Sequence, residues 1–500
     1  VMPKILLLPL DERPCNYLFP NMLASSSEDI ELLLPPKSLL GAMNQAADIS
    51  AVAQWLRENF FSCDYAIISI DMLVYGGIVP SRLHQLTQQQ CLDRLSVLTQ
   101  LHAAYPHIRI FAFTLIMRAP AYNSSLEEPD YYAVYGERLC RFGALRDRQR
   151  RGLSSIEEKS EFLALENALP PEILHDFCNR RKTNHAVNLA SVSLLNEGVL
   201  DFLVVPLDDC APYGWAAAER GEILSAIRQN GLGRRAYSYC GADEVGSILL
   251  ARAANHSRRT SPGIFLQYSS VCGPFVIPKY EDRPLGENLR WQIAAAGGRT
   301  VPSAEFADMV LMVNSPTVGG EQMSDAGHDV IFCNIAPACL PDFIHTLRAM
   351  LQCKPVLLAD VALANGADTE LMKALAQEDL LAKLTSYSGW NTAANAAGTC
   401  IAHGMICADN IEKGALFTTH RILEDWLYMS CIRRRAAAFA ERQKITLSGS
   451  GEQDGLVTPY ILRELKTMAS QLSLPQCVSI QHIALPWHRL FEIELQISVV

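Results

Sequence analysis

The chain has 500 residues, of which 49% are hydrophobic, and a formal net charge of −10. This length and composition provide a large core and roughly two to four domains, unless one α/β barrel takes up half of the chain. The negative charge argues against a nucleic-acid partner, because proteins that bind polyanions present basic surfaces.

Two further features bear on location. No apolar run approaches the length of a membrane span, and the first apolar run, residues 5–10, meets Asp11, Glu12 and Arg13 at once instead of a secretory cleavage site. The 15 cysteines show neither a CxxC motif nor a zinc-type Cys/His spacing, which favours reduced thiols. We therefore predict a cytoplasmic protein without a membrane partner.

The first three long apolar runs, residues 4–10, 64–70 and 108–116, are predicted to be buried strands. Helices are predicted at residues 49–60 and 88–105, and a short strand at residues 30–34 is treated as an insertion. Each long run ends in polar side chains: Asp11, Glu12, Arg13 and Asn16 after the first, Asp71, Tyr75 and Arg82 after the second, and Arg118 after the third.

Two adjacent carboxylates mark the fourth unit. After a region predicted to be helical, residues 133–200, residues 201–207 predict a buried strand that Asp208 and Asp209 follow directly. Two ionised side chains repel each other, so a fold that places them at a strand tip either compensates them or uses a raised pKa. The structural alternative is that Asp208 caps the next helix and Asp209 faces water.

The alternation of strands and helices continues to residue 395. A strand at residues 235–239 is followed by a second acidic pair, Asp243 and Glu244, for which helix capping is an equally good explanation. Strands are also predicted at residues 263–268, 309–313, 355–359 and 384–387, and Trp390 and Asn391 follow the last of them. The remainder is mainly helical.

Strand, polar tip and helix recur eight or more times, as in a parallel sheet covered by helices. We predict an α/β fold with a (β/α)8-like barrel, because nearly every strand tip offers a functional side chain, whereas an open sheet concentrates such groups at one switch point. Residues 1–260 form the first part of the barrel with the main acidic site, residues 261–355 continue it or form an inserted flavodoxin-like subdomain, residues 356–410 supply the last strands, and residues 411–500 form a helical extension.

Several kinds of chemistry lack their motifs. No GxxxxGK[ST] or GxGxxG follows the first strand and no HExxH occurs, which argues against kinases, dinucleotide-dependent enzymes and HExxH metalloenzymes. We predict no cofactor. A metal-dependent hydrolase or lyase with an all-carboxylate site of Asp11, Asp71, Asp208 and Asp243 stays open as an alternative. So does a non-catalytic protein that binds a sugar or metabolite.

Carboxylates, Tyr, Trp and Asn at strand tips suit a carbohydrate ligand. Cleavage of a glycosidic bond needs one carboxyl group that protonates the leaving oxygen and another that stabilises the sugar side. We therefore predict a glycoside hydrolase with Asp208 and Asp209 as the catalytic pair, and we leave open whether it forms a homo-oligomer. The predicted substrate-binding residues are Asp11, Glu12, Arg13, Asn16, Asp71, Tyr75, Arg82, Arg118, Tyr213, Asp243, Glu244, Trp390 and Asn391.

Five ordered motifs carry a resemblance to a known family. They are LPLDERPCNY (residues 8–17), DMLVYGGIVPSR (71–82), PLDDCAPYG (206–214), GADEVG (241–246) and GWNTAAN (389–395). Together they resemble the bacterial domain-of-unknown-function family DUF4127 over nearly the whole chain. That resemblance implies no biochemical function.

The position of the acidic pair after a fourth strand is also similar to the Asp-Asp pair of the O-GlcNAcase family and the Asp-Glu pair of the hexosaminidase family. In those families the acetamido oxygen of the substrate is the nucleophile. The similarity implies that Asp208 orients the acetamide and that Asp209 is the general acid, although no other motif of those families is present. The similarity also implies that Tyr213 or Tyr75 positions the acetamide and that Trp390 with Asn391 holds the sugar.

Overall fold

Two parallel sheets dominate the computed structural model, which describes residues 2–317, 338–408, 410–447 and 451–500. The first sheet contains β1 (Lys4–Leu8), β2 (Glu31–Leu33), β3 (Tyr65–Ser69), β4 (Arg109–Phe113), β5 (Phe202–Val204) and β6 (Ala236–Tyr237). The second contains β7 (Gly263–Tyr268), β8 (Arg299–Thr300), β9 (Met309–Asn314), β10 (Val356–Asp360) and β11 (Ser386–Ser388). Strands β12 (Val478–Ala484) and β13 (Glu494–Val499) form an antiparallel pair.

The two sheets have related strand orders. The first runs β2-β1-β3-β4-β5-β6 and the second β8-β7-β9-β10-β11. Both therefore begin with the 2-1-3 order of the flavodoxin-like doubly wound sheet, in which ligands bind where the order reverses. The predicted (β/α)8 barrel is not found in the described residues, where both sheets are open. Apolar strands are typical of open and closed parallel sheets alike, so the sequence pattern does not report closure.

The short strand at residues 30–34 is not an insertion. It is β2, an edge strand of the first sheet that pairs in parallel with β1, with Lys4 opposite Glu31. The second sheet takes β7, β8 and β9 from residues 261–355 and β10 and β11 from residues 356–410. Part of the first of these ranges, residues 318–337, lies outside the described residues.

Helices connect the strands and cover both sheets. The prediction of a helical region at residues 133–200 is confirmed, since three helices fill most of it. The helices are α1 (Leu18–Ser25), α2 (Ile49–Asn59), α3 (Ile70–Tyr75), α4 (Pro80–Leu83), α5 (Gln88–Leu95), α6 (Val97–Ala104), α7 (Tyr132–Arg150), α8 (Ile156–Ala168), α9 (Pro171–Asn196), α10 (Trp215–Gln229), α11 (Val245–Arg258), α12 (Leu285–Ala295), α13 (Leu340–Met350), α14 (Thr369–Gln377), α15 (Ala393–Cys407), α16 (Ile411–Arg421), α17 (Arg433–Arg442) and α18 (Asp454–Ala469). A π-helical segment, Ile422–Ile432, joins α16 to α17.

None of the helices in the described ranges combines the length and the apolar character that crossing a bilayer requires.

Alternate residues of the first sheet enter two cores, because successive strand side chains point to opposite faces. Ile5 and Leu7 face the core that continues into the second sheet, whereas Leu6 and Leu8 face a separate core. Helix α11 packs on the first sheet and against α15, and α15 packs on the second. Every residue of α15 is buried. These two helices therefore connect the sheets.

The segments that follow β4, β5 and β6 leave the first sheet side by side. Beyond the regular strands, Leu207 forms isolated parallel bridges with Ile116 and with Cys240. The next residues of the three segments, among them Asp208, consequently emerge side by side. This alignment places three loops at one edge of the sheet.

Candidate active site

A cavity of about 240 Å³ lies at the carboxyl ends of the strands of the first sheet. Ligands of open α/β sheets bind at this edge. Loops that follow strands of the second sheet and the C-terminal segment form its other walls. The cavity is lined by Arg13, Ile78, Arg82, Arg118, Tyr122, Glu127, Asp208, Asp209, Ala242, Asp243, Tyr280, Asn365, Asn391, Thr392, Asn395, Arg489 and Phe491.

One wall is built around Arg13, which lies between two buried carboxylates. Its guanidinium donates to Asp11 at 2.7 Å and to Asp243 at 2.6 Å. Asn16 donates to the same two side chains, at 2.9 and 3.0 Å. Burial raises the pKa of both carboxyl groups, and the charge of Arg13 opposes that effect. The loop after β1 is thereby fixed to the loop after β6.

A second wall contains Arg82 and Arg118, which share two glutamates. Glu127 accepts from Arg82 at 2.9 Å and from Arg118 at 3.0 Å. Glu128 accepts from Arg118 at 2.8 Å and from Arg82 at 3.4 Å. Burial raises the pKa of Glu127, but the surrounding arginines outweigh it and the net shift is downward. The long loop after β4 is therefore a fixed part of the cavity.

Asp208 and Asp209 are held by different arginines. Asp208 accepts from Arg82 at 2.6 Å, and Asp209 accepts from Arg118 at 3.0 Å, through Oδ2 in both cases. The Asp209 side chain is 24% exposed and that of Asp208 10%. The φ angle of Asp209 is 20°, which is uncommon for a residue other than glycine. Asp209 is thus the member of the pair that is more accessible from the cavity.

Two carboxyl groups at this edge have pKa values near neutrality. Burial raises the pKa of Asp209 to about 6; the adjacent charge of Asp208 adds to the shift, and Arg118 opposes it. Burial also raises the pKa of Asp71 to about 7, although the backbone N–H of Leu115 donates to this carboxyl at 2.9 Å. A carboxyl group with a pKa near 6 can deliver and recover a proton during one turnover.

The second sheet contributes amide and hydroxyl groups. Asn391, Thr392 and Asn395 lie at the beginning of α15, where the Thr392 side chain accepts from the Asn395 backbone N–H at 3.3 Å. The Asn395 side-chain oxygen accepts from the backbone N–H of Asp243 at 3.2 Å. The start of α15 is therefore attached to the loop after β6.

The C-terminal segment supplies the last wall. The Arg489 guanidinium lies 4.5 Å from the ring centroid of Trp487 and 4.9 Å from that of Phe491. Arg489 also bonds to Glu127 and, at 3.2 Å, to Glu492. Burial raises the pKa of Glu492 to about 7, against the effect of neighbouring arginines. A segment remote in sequence thus completes the cavity.

The structure brings ten of the predicted site residues together. Asp11 and Asn16 bond directly to side chains of the lining, and Asp71 is buried close enough to Asp208 for its charge to affect the Asp71 pKa. Those that line the cavity are Arg13, Arg82, Arg118, Asp208, Asp209, Asp243 and Asn391.

The three predicted aromatic residues do not line the cavity. The Tyr75 ring is buried and stacks on His84 at a centroid distance of 4.6 Å. The Tyr213 ring lies 4.9 Å from the Arg148 guanidinium, and Trp390 is only 3% exposed. Aromatic rings fill the core as readily as they stack on ligands, so their place beside polar strand tips was a weak signal.

Two predicted acidic residues also lie away from the cavity. Glu12 accepts from Trp487 at 2.7 Å and from the backbone N–H of Met43 at 3.0 Å. Glu244 accepts from Gln292 at 3.1 Å and from the backbone N–H of Ala242 at 3.0 Å. Both carboxylates hold neighbouring segments in place.

Sequence reasoning missed several lining residues. Tyr280, Asn365 and Arg489 lie in loops or in the C-terminal segment, outside the strand-tip pattern. The long loop that carries Glu127 was a usable signal, because long loops in compact folds are often functional. For Arg489 the sequence offered only a charged residue between aromatic residues.

Arg181, on α9, supports the cavity from behind. This buried guanidinium donates to the backbone oxygens of Met117 at 2.7 Å and Arg118 at 3.0 Å. It also forms an ion pair with Glu219 at 2.7 Å. Since Arg118 bonds to Asp209, α9 helps to position the exposed member of the acidic pair.

The described residues include one group with the spacing of metal ligands. Sulfur atoms of Cys210 and Cys240 and a carboxylate oxygen of Asp282 lie within 4.8 Å of one another. Arg220 and Arg283 already pair with Asp282. Asp11 and Asp243, two members of the predicted all-carboxylate site, do not surround an empty space, because the cationic group of Arg13 lies between them.

The fold and the site together define an α/β protein with two doubly wound parallel sheets and a carboxylate- and arginine-lined cavity at the carboxyl edge of the first. The model of the family described as "Protein of unknown function (DUF4127)" matches residues 5–496, and the chain belongs to that family. Comparisons with curated proteins and with solved structures give no significant match.

Proposed function

We propose that this protein is a glycoside hydrolase whose general acid is Asp209. The observation that carries the proposal is the state of this side chain: it lines the cavity, is partly exposed, and has a pKa raised to about 6. Its neighbour Asp208 is less exposed and forms an ion pair with Arg82 at 2.6 Å. Two adjacent carboxyl groups in different environments are the arrangement that acid catalysis at a glycosidic bond uses.

The substrate class that suits this pair is the N-acetylhexosaminides. Asp209 donates its proton to the glycosidic oxygen, the bond from that oxygen to the anomeric carbon breaks, and the acetamido oxygen bonds to the same carbon. Asp208 accepts a hydrogen bond from the acetamide N–H and orients it. Water then attacks the anomeric carbon and Asp209 takes a proton from the water. The bond from the anomeric carbon to the acetamido oxygen breaks at the same time, which restores the acetamide. Each step uses only the substrate, water and the two carboxyl groups.

The remaining lining suits sugar recognition. Asn391, Asn395 and Asn365 offer amide groups that can both donate to and accept from hydroxyls. The rings of Tyr280 and Phe491 offer apolar surface for the carbon face of a sugar. The described cysteines are free thiols, which supports a reducing compartment such as the cytoplasm.

The test is the variant Asp209→Asn, assayed on aryl N-acetylhexosaminides with good and poor leaving groups. General acid catalysis contributes about 10²- to 10⁴-fold, so we expect a loss of about 10³-fold with phenyl glycosides. We expect a much smaller loss with dinitrophenyl glycosides, because their leaving group needs no proton.

The matched control is Asp93→Asn, which alters an exposed carboxylate on α5 and should leave turnover unchanged. Equal losses with both leaving groups would remove Asp209 from the acid role. A wild-type protein that binds these sugars without cleaving any of them is a carbohydrate-binding protein instead of a hydrolase.

A further inference from the structure

Four arginines and four carboxylates line the cavity, and three more carboxylates pair with those arginines from outside the lining. Four arginines line it, Arg13, Arg82, Arg118 and Arg489, and each forms ion pairs with at least two carboxylates. The carboxylates in these ion pairs number seven: Asp11, Glu127, Glu128, Asp208, Asp209, Asp243 and Glu492. Each of the four lining arginines is therefore already paired within the protein, and none offers an anion an unpaired guanidinium.

The geometry of the guanidinium groups strengthens this point. Arg13 is bonded on both sides at 2.6 and 2.7 Å, and three donor nitrogens of Arg118 are bonded at 2.8 to 3.0 Å. A ligand carboxylate or phosphate would have to displace one of these protein carboxylates to form a bidentate contact. The displaced carboxylate would then be buried without its partner, which is costly.

We propose that the cavity selects sugars that are uncharged or carry a cationic amine, and that it excludes uronic acids and phosphosugars. This inference rests on the proposed function for the identity of the ligand as a sugar. Its basis is that every lining arginine is already paired with carboxylates of the protein. A cationic amine would find carboxylate oxygens as acceptors, and a neutral hydroxyl could bond to either kind of group.

The experiment compares aryl N-acetylglucosaminides that differ only at the exocyclic carbon, which carries a hydroxyl, an amine, a carboxylate or a phosphate. Like-charge juxtaposition costs several kcal/mol, so we expect kcat/KM at least about 100-fold lower for the carboxylate and phosphate than for the hydroxyl. The amine should be cleaved at least as well as the hydroxyl. A carboxylate or phosphate cleaved as well as the hydroxyl would overturn the inference.

A binding arm separates this inference from the proposed function. Thermal shifts are measured with N-acetylglucosamine, its amino analogue and its uronic acid, which needs no turnover. Stabilisation by the first two but not by the acid supports the selectivity even if no glycoside is cleaved. Stabilisation by the acid, or by none of the three, contradicts it, whatever the outcome of the assays.

Glu492→Gln provides a matched variant, because Glu492 bonds to Arg489 without lining the cavity. Measured as binding at pH 8, where Glu492 is ionised, removing this negative charge should reduce the penalty on the carboxylate sugar by about 5- to 10-fold, the scale of one partly screened charge. Glu166→Gln, at an exposed position on α8, should leave the penalty unchanged. An unchanged penalty in Glu492→Gln would count against the charge-based explanation.

Discussion

The carboxyl edges of the two sheets both carry acidic residues, yet they differ in access. At the first edge, Asp208, Asp209 and Asp243 line a cavity. At the second, Asp360 and Asp425 are fully buried. Acidic residues at strand tips therefore do not define a site by themselves, and access from a cavity is what distinguishes the two edges.

At the second edge, both aspartates accept hydrogen bonds within a buried network. Asp360 accepts from the Asn314 side chain at 2.9 Å and from the backbone N–H of Asp368 at 2.9 Å. Asp425 accepts from the backbone N–H of Gly389 at 2.7 Å and from Arg421 at 2.9 Å. These bonds connect β9, β10 and β11 to the C-terminal helical region. We infer that their role is stability.

The largest contrast should come from removing the central arginine of each edge. Arg421 is fully buried and pairs with Asp425 and Glu424, so Arg421→Met should lower the free energy of unfolding by about 3–5 kcal/mol. Arg118→Met should instead abolish most activity. Urea unfolding and kcat per folded molecule are the measurements. A stable but inactive Arg421→Met protein would contradict the assignment of stability to the second edge and of activity to the first.

A smaller effect is expected at Arg181, which holds the backbone of Met117 and Arg118. Arg181→Met should lower kcat by about 10- to 100-fold, the usual range for a displaced supporting group. Because Arg118 lowers the pKa of Asp209, a looser Arg118 should also move the alkaline limb of the pH profile upward. A purely structural role would leave that limb in place. Arg141→Met, which breaks an exposed pair with Glu161, is the control.

The smallest effect is measured per pH unit and concerns the pH dependence of stability. Burial raises the pKa of Asp360 to about 8, so the folded state holds a proton that the unfolded state has released. Stability should therefore fall as pH rises from about 4 to 8, with a contribution of at most about 1.4 kcal/mol per pH unit from this group. Asp360→Asn should flatten that slope and keep activity. An unchanged slope would show that Asp360 is ionised in the folded protein.

Part of this contrast could be predicted from the sequence. Short apolar runs that end in carboxylates correctly placed Asp11, Asp208 and Asp243 at strand ends of one sheet. The pattern at Asp360 could not be distinguished from the pattern at these three residues, because the burial of a strand end depends on which helices cover it. Sheet closure was also hidden, as strands of open and closed parallel sheets are equally apolar.

The side-chain pairs of the site were beyond sequence reasoning for a different reason. The Arg489–Glu127 and Arg13–Asp243 pairs join residues that lie hundreds of positions apart. The first contact depends on how the C-terminal segment packs, and the second depends on how the loops after β1 and β6 meet. Trp390 was expected at the ligand but lies in the core. The prediction failed because the neighbouring residues in the sequence do not indicate the direction of its ring.

The most direct test of the central claim is the pH profile of kcat/KM for an aryl N-acetylhexosaminide with a poor leaving group. With Asp209 as the general acid, activity should fall as pH rises through about 6, and Asp209→Asn should lose this limb together with most of the activity. A wild-type profile that keeps its activity well above that pH, or a variant that keeps the same limb, would contradict the assignment of catalysis to this edge of the first sheet.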